Sequence, residues 1–79
     1  MQVQMKDALV RVERVRTFLL AIEATQAGWK AVAVKLLREV TGLAVRESFQ
    51  AIAIALGEEP QGEVSEEVRE VGRLLQRFL

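Results

Sequence analysis

Residues 30–49 read KAVAVKLLREVTGLAVRESF, and this stretch decides the fold because two helical patterns meet in it around one glycine. Apolar residues recur at intervals of three and four on both sides of Gly42, the spacing that places them on one face of a helix. Gly42 suits a left-handed C-terminal cap, because it lacks the side chain that makes positive φ costly. The stretch therefore predicts a helix-glycine-helix hairpin from residue 30 to about residue 56.

The second helix of this hairpin, predicted over residues 44–56, carries two stripes. Apolar side chains recur at i, i+4, i+7 and i+11, and small side chains that let a neighbouring helix approach closely lie beside them. The apolar stripe consists of Val45, Phe49, Ile52 and Leu56, and the small stripe of Ala44, Ser48, Ala51 and Ala55. Ile54 falls on the expected solvent side with Glu47 and Gln50, where an apolar residue is either tolerated or contacts a partner.

A further helix is predicted on each side of the hairpin. Residues 6–25 show helical periodicity without an internal Gly, Pro or Asn, although residues 16–23 also fit a buried strand. Residues 57–62 form a loop with two glycines and the only proline. Ser65 then suits the N-cap of a last helix, in which Gly72 marks a close crossing.

These elements predict a mainly α, compact four-helix domain that occupies residues 1–79 as a single domain. The alternative is an α+β sandwich with a strand near residues 16–23. Half of the composition is hydrophobic, and a chain this short leaves much of that surface exposed unless it pairs, so a homo-oligomer is expected.

Composition disfavours several classes of function. The chain has no cysteine and no histidine, which removes the usual nucleophiles, general bases and soft metal ligands. We therefore expect no enzyme, no catalytic residue, no metal site and no cofactor. The start of the chain lacks the pattern of a signal peptide, and the longest apolar run, residues 51–56, is far shorter than a membrane span, so a cytoplasmic location without membrane contact is expected.

A hairpin of two short helices also suggests a helix-turn-helix DNA-binding protein. The details disfavour nucleic acid as a partner: 11 basic and 11 acidic side chains give a net charge of zero. The helix that would read bases offers only Arg46 near its start and Gln50 for base edges.

Residues 30–49 resemble the signature of the C-terminal domain of the bacterial ribosomal stalk protein, the multi-copy protein that recruits translation factors. That family has a basic-apolar helix, a TGLGL turn and a KEAK helix start. Arg46 stands where the family has lysine, and the identical positions are Lys30, Lys35, Arg38, Thr41, Gly42, Leu43 and Glu47. In the family, the basic face of this hairpin docks onto translational GTPases. The resemblance therefore implies partner contacts at Lys30, Lys35, Arg38, Arg46 and Glu47.

This sequence also departs from the family pattern. Ala44 replaces the second turn glycine, Phe49 replaces a lysine of the contact face, and no residues match the closing strand. The first hypothesis is nevertheless a non-enzymatic protein-protein interaction module that docks on a translation factor or another large enzyme. The second hypothesis is a structural, self-associating helical protein, whose contacts between copies would be Val45, Phe49, Ile52 and Ile54.

Overall fold

The computed structural model describes residues 5–79, which form four helices and contain no strand. In chain order these are α1 (Met5–Ala27), α2 (Lys30–Thr41), α3 (Val45–Ala55) and α4 (Glu66–Arg77). The mainly α prediction is confirmed. The alternative with a strand at residues 16–23 is wrong, since these residues lie inside α1, where no turn residue interrupts the helix. Within residues 5–79, no helix combines the length and apolar character needed to cross a bilayer.

The turn between α2 and α3 is fixed by three hydrogen bonds. Gly42 adopts the left-handed conformation with φ +73°, and its N–H donates to the Arg38 carbonyl at 2.8 Å. The Leu43 N–H donates to Thr41 Oγ1 at 3.1 Å, and Arg38 Nε donates to the Leu43 carbonyl at 3.2 Å. The predicted glycine cap is thus confirmed, and the turn holds α2 and α3 in a defined relative orientation.

All four helices contribute to one hydrophobic core. Its fully buried large side chains are Leu37 of α2, Ile52 of α3, and Val68 and Leu75 of α4, and α1 adds Ile22. Ser65 caps α4 as expected, because its side chain accepts a hydrogen bond from the Val68 N–H at 3.2 Å. The core therefore joins the hairpin to both outer helices.

The small residues of α3 allow α4 to pack closely, as the sequence predicts. Gly72 is buried at this crossing, where an added Cβ would lie 2.7 Å from Ile54 Cβ and 3.0 Å from the Ala51 carbonyl oxygen. Ile54 is consequently half-buried against α4, so its predicted position on the solvent side is wrong. Gln50, placed on the same side, is also buried.

Replacing Ser48 with alanine is expected to stabilise the fold by about 1 kcal/mol. Ser48 Oγ is fully buried and has no hydrogen-bond partner within residues 5–79, so the hydroxyl loses hydration without compensation. Urea unfolding of Ser48→Ala should show a higher midpoint. Ser65→Ala is the matched control, for which we expect a lower unfolding midpoint. Loss of the Ser65 hydroxyl removes the N-cap of α4 and costs about 1 kcal/mol of stability. A lower midpoint for Ser48→Ala would show that the hydroxyl is satisfied in solution.

Candidate functional site

A groove of about 810 Å³ opens between the start of α2, the outer face of α3 and the loop between α3 and α4. We call it the hairpin groove. Its surface combines an apolar part from α3 with charges of both signs from α2, α3 and the loop. The lining residues are Lys30, Val45, Arg46, Phe49, Gln50, Ile52, Ala53, Glu58, Glu59 and Gln61.

The loop wall of the hairpin groove is held in place by one amide group. Gln50 Nε2 donates to the Gln61 carbonyl at 2.7 Å and to the Glu63 carbonyl at 3.0 Å, and the Gln50 side chain is buried. Both bonds run from α3 to the backbone of the loop, so they fix the loop whatever side chains it carries. Gln50 is thus a positioning residue for this wall.

Basic side chains of the hairpin groove also contact the loop. Lys30 Nζ lies 2.9 Å from Glu58 Oε1, and both side chains are about half exposed. The Arg46 guanidinium lies against Gly62, which has φ +81°. The basic groups of the groove are therefore arranged along an acidic loop. Because Lys30 and Glu58 are both about half exposed, their ion pair contributes little to stability.

The five positions implied by the stalk resemblance fall into two groups. Lys30 and Arg46 line the hairpin groove, and Glu47 follows Arg46 along α3, where its Oε1 accepts from the Ala44 N–H at 3.0 Å. Lys35 and Arg38 lie together on another part of α2, around a shallow depression that also includes Ala31, Val34 and Glu39. Within the part of the chain that the structure describes, Lys35 takes part in no ion pair.

The four positions predicted for self-association also separate. Val45 and Phe49 are 47% and 44% exposed and both line the hairpin groove. Ile52 is buried in the core, and Ile54 is half-buried where it packs against Gly72, so these two side chains offer a second copy much less surface than Val45 and Phe49 do. By its spacing, Ile52 belongs to the same apolar stripe of α3 as Val45 and Phe49, but only its side chain is buried in the core. Spacing alone does not reveal this difference.

The sequence did not reveal the contribution of the loop to the groove. Glu58, Glu59 and Gln61 of the loop line the groove, and none of them was predicted as part of a site. One signal was present: a loop with Gly57, Pro60 and Gly62 has few internal hydrogen bonds, so its carbonyls need donors from a neighbouring element.

Comparison with protein families, curated proteins and solved structures finds no significant match. The likeness of residues 30–49 to the stalk-protein signature therefore remains a resemblance in one hairpin.

Proposed function

We propose that this protein is a non-enzymatic interaction module that docks on a translation factor or another large enzyme through the basic face of its α2–α3 hairpin. The observation that carries the proposal is that the stalk-like motif forms a hairpin whose turn is fixed by three hydrogen bonds. A rigid turn holds the backbone that carries Lys35 and Arg38, so binding incurs no cost for ordering that backbone. This role would place the protein in the cytoplasm.

The chemistry of the hairpin groove supports a protein partner. Half-exposed Val45 and Phe49 can receive an apolar anchor, while Lys30 and Arg46 stand on the same surface as Glu58 and Glu59. Apolar anchors within a rim of mixed charge are characteristic of protein-protein interfaces. The two basic and two acidic side chains balance, so the groove lacks the net positive charge that binding of a polyanion such as DNA requires.

Contacts on α3 weigh against the DNA-binding alternative. Arg46 lies against Gly62, and Gln50 donates both of its recorded hydrogen bonds to the loop backbone. The sequence offered Gln50 for base edges, and its amide donates to the loop backbone instead. We therefore do not propose nucleic acid as the partner.

Charge reversal on α2 tests the docking face. Lys35→Glu combined with Arg38→Glu is expected to weaken binding to a purified translational GTPase by at least about tenfold, because the partner of a basic face carries the opposite charge. Fluorescence anisotropy with labelled chain and several GTPases of this class, loaded with a non-hydrolysable nucleotide, would measure the affinity. The wild-type affinity should also fall with added salt.

Two controls accompany this measurement. Arg69→Glu with Arg73→Glu places the same charge change on exposed positions of α4 and should leave the affinity unchanged. Lys35→Glu alone leaves the bond from Arg38 to the turn intact, so a loss of binding by this variant cannot come from a disturbed hairpin. Equal binding by wild type and both α2 variants would refute the basic face as the docking surface.

The exposure of Val45 and Phe49 favours a second candidate function, structural self-association through the hairpin groove. Sedimentation of Val45→Glu and wild type over a range of concentrations tests it. A wild type that remains monomeric, or a Val45→Glu variant that associates as wild type does, would exclude this function.

A further inference from the structure

Among residues 5–79, no other helix covers one apolar face of α1. Ala8, Val12, Val15 and Leu19 follow one another at spacings of four, three and four residues, and we call them the α1 stripe. Val12 is 62% exposed, Val15 60% and Leu19 52%. Every residue from 6 to 16 is exposed except half-buried Ala8, so this half of α1 extends beyond the core.

The rest of the fold leaves the α1 stripe accessible. The end of α2 approaches α1 on a different face, where Glu39 and Val40 lie beside Lys6, Leu9, Val10, Glu13, Arg14 and Thr17. At 100° per residue, that face lies roughly opposite the α1 stripe. No segment of residues 5–79 therefore packs over Val12 and Val15.

The C-terminal end of α4 continues this apolar surface. The Phe78 ring packs edge-on against Phe18 with centroids 5.7 Å apart, and Gln26 Nε2 donates to the Phe78 carbonyl at 3.4 Å. Gln26 lies two helical turns beyond Leu19 on the same face, and Phe78 is itself 52% exposed. Together these side chains present roughly 400 Å² of apolar surface, as much as the largest patch on a typical monomer.

We infer that two copies of this chain pair through their α1 stripes in antiparallel orientation. The alternating spacing of three and four residues is that of a coiled-coil seam, which buries such a stripe against another helix. When two α1 stripes lie side by side in opposite directions, Ala8 faces Leu19 of the second copy and Val12 faces Val15. A small residue then meets a large one at each end, as interlocking layers require, and the interface is the same on both copies.

Charges beside the α1 stripe select the antiparallel orientation. In a parallel pair, Arg11 and Arg16 occupy the flanking positions that face each other between chains, so like charges would meet along the seam. In an antiparallel pair, Arg11 instead lies beside Phe18 of the second copy, where its methylene groups and guanidinium can cover the aromatic ring.

The α1 stripe is small for a protein-protein interface, which favours a weak dimer. A stable interface buries about 800 Å² per partner, and the stripe with Phe78 supplies roughly half of it. The stems of Arg11 and Arg16 add to this area along the helix, which is about 34 Å long. We therefore expect a dimer with a dissociation constant in the micromolar range.

Sedimentation equilibrium from about 1 µM to about 1 mM tests the dimer and its surface. Wild type should pass from monomer to dimer, and Val12→Glu combined with Val15→Glu should raise the dissociation constant at least about 100-fold. Val32→Glu is the matched control, since Val32 is an exposed valine of α2. A wild type that stays monomeric, or a double variant that dimerises normally, overturns the inference.

Disulfide trapping tests the orientation, because the chain contains no cysteine of its own. Ala8→Cys and Leu19→Cys chains are mixed in equal amounts, oxidised and weighed by mass spectrometry. An antiparallel seam joins position 8 to position 19 and yields the mixed disulfide, since like positions lie about 16 Å apart, beyond disulfide reach. Dominant homodimers of each variant would overturn the antiparallel arrangement.

The dimer and the docking face are independent of each other. Val12→Glu with Val15→Glu should leave capture of a translational GTPase unchanged, and Lys35→Glu with Arg38→Glu should leave dimerisation unchanged. Loss of both properties in either double variant would indicate a folding defect, which circular dichroism detects.

Discussion

Replacing Gly72 with valine is expected to lower the free energy of unfolding by about 3 kcal/mol or more, which is a third or more of the stability of a domain of this size. An added Cβ would lie 2.7 Å from both Cβ and Cγ2 of Ile54 and 3.0 Å from the Ala51 carbonyl oxygen. The carbonyl belongs to the backbone of α3 and cannot rotate away, so α4 must move outward. That movement would open the core at Val68 and Leu75.

Urea unfolding monitored by circular dichroism measures this loss, and three variants isolate its cause. Gln76→Val introduces the same β-branched residue at an exposed position of α4 and should cost only about 0.5 kcal/mol. Gly72→Ala gains helix propensity but meets the same contacts, so it should still be destabilising. Ile54→Ala combined with Gly72→Val should cost less than the sum of the two single losses, because alanine removes the Cγ2 that the valine meets. A fully stable Gly72→Val protein would contradict the close crossing.

Local sequence signals predicted most of this fold, because the responsible groups are near each other in the chain. Gly42 caps α2 through a bond to Arg38, four residues earlier, and Ser65 caps α4 through a bond to Val68, three residues later. The absence of turn residues in α1 favoured a helix over the strand near residues 16–23. Each of these features depends on local backbone conformation, which a few neighbouring residues determine.

The burial of individual side chains could not be predicted from the sequence where it depends on contacts between distant segments. Ile54 was expected to face solvent. Gly72, 18 residues later, has no side chain, so α4 packs closely against Ile54. Ile52 lies on the same periodic stripe as Val45 and Phe49, but only Ile52 turns into the core. Periodicity identifies the face of a helix, and only the tertiary arrangement determines what covers that face. The exposed α1 stripe is the clearest case, since its pattern is typical of a buried one.

The same distinction applies to the candidate site. The basic positions on α2 and α3 could be proposed from residues 30–49 because the motif is contiguous. The acidic wall with Glu58 and Glu59 could not, because it depends on a loop that folds back over α3. The two hydrogen bonds from Gln50 hold the far end of that loop, at Gln61 and Glu63, so the shape of this part of the hairpin groove depends on Gln50.

Replacing Gln50 with leucine is expected to cost about 2 kcal/mol of stability and to release the loop. Leucine fills a similar volume but donates no hydrogen bond, so the carbonyls of Gln61 and Glu63 lose the donor they share. Amide hydrogen exchange should accelerate across the loop, residues 57–63, more than in α2, because the loop opens while the core remains. Urea unfolding gives the accompanying loss of stability.

Gln61→Ala is the matched control for this prediction. The acceptor at residue 61 is the backbone carbonyl and not the side chain, so alanine at this exposed position keeps both bonds and should change neither stability nor exchange. If the partner docks in the hairpin groove, Gln50→Leu should also weaken capture of the translational GTPase, and by more than Gln61→Ala, which removes one lining side chain but keeps the loop in place. Slow exchange in the Gln50→Leu loop would instead mean that contacts such as Arg46 against Gly62 hold the wall without the amide.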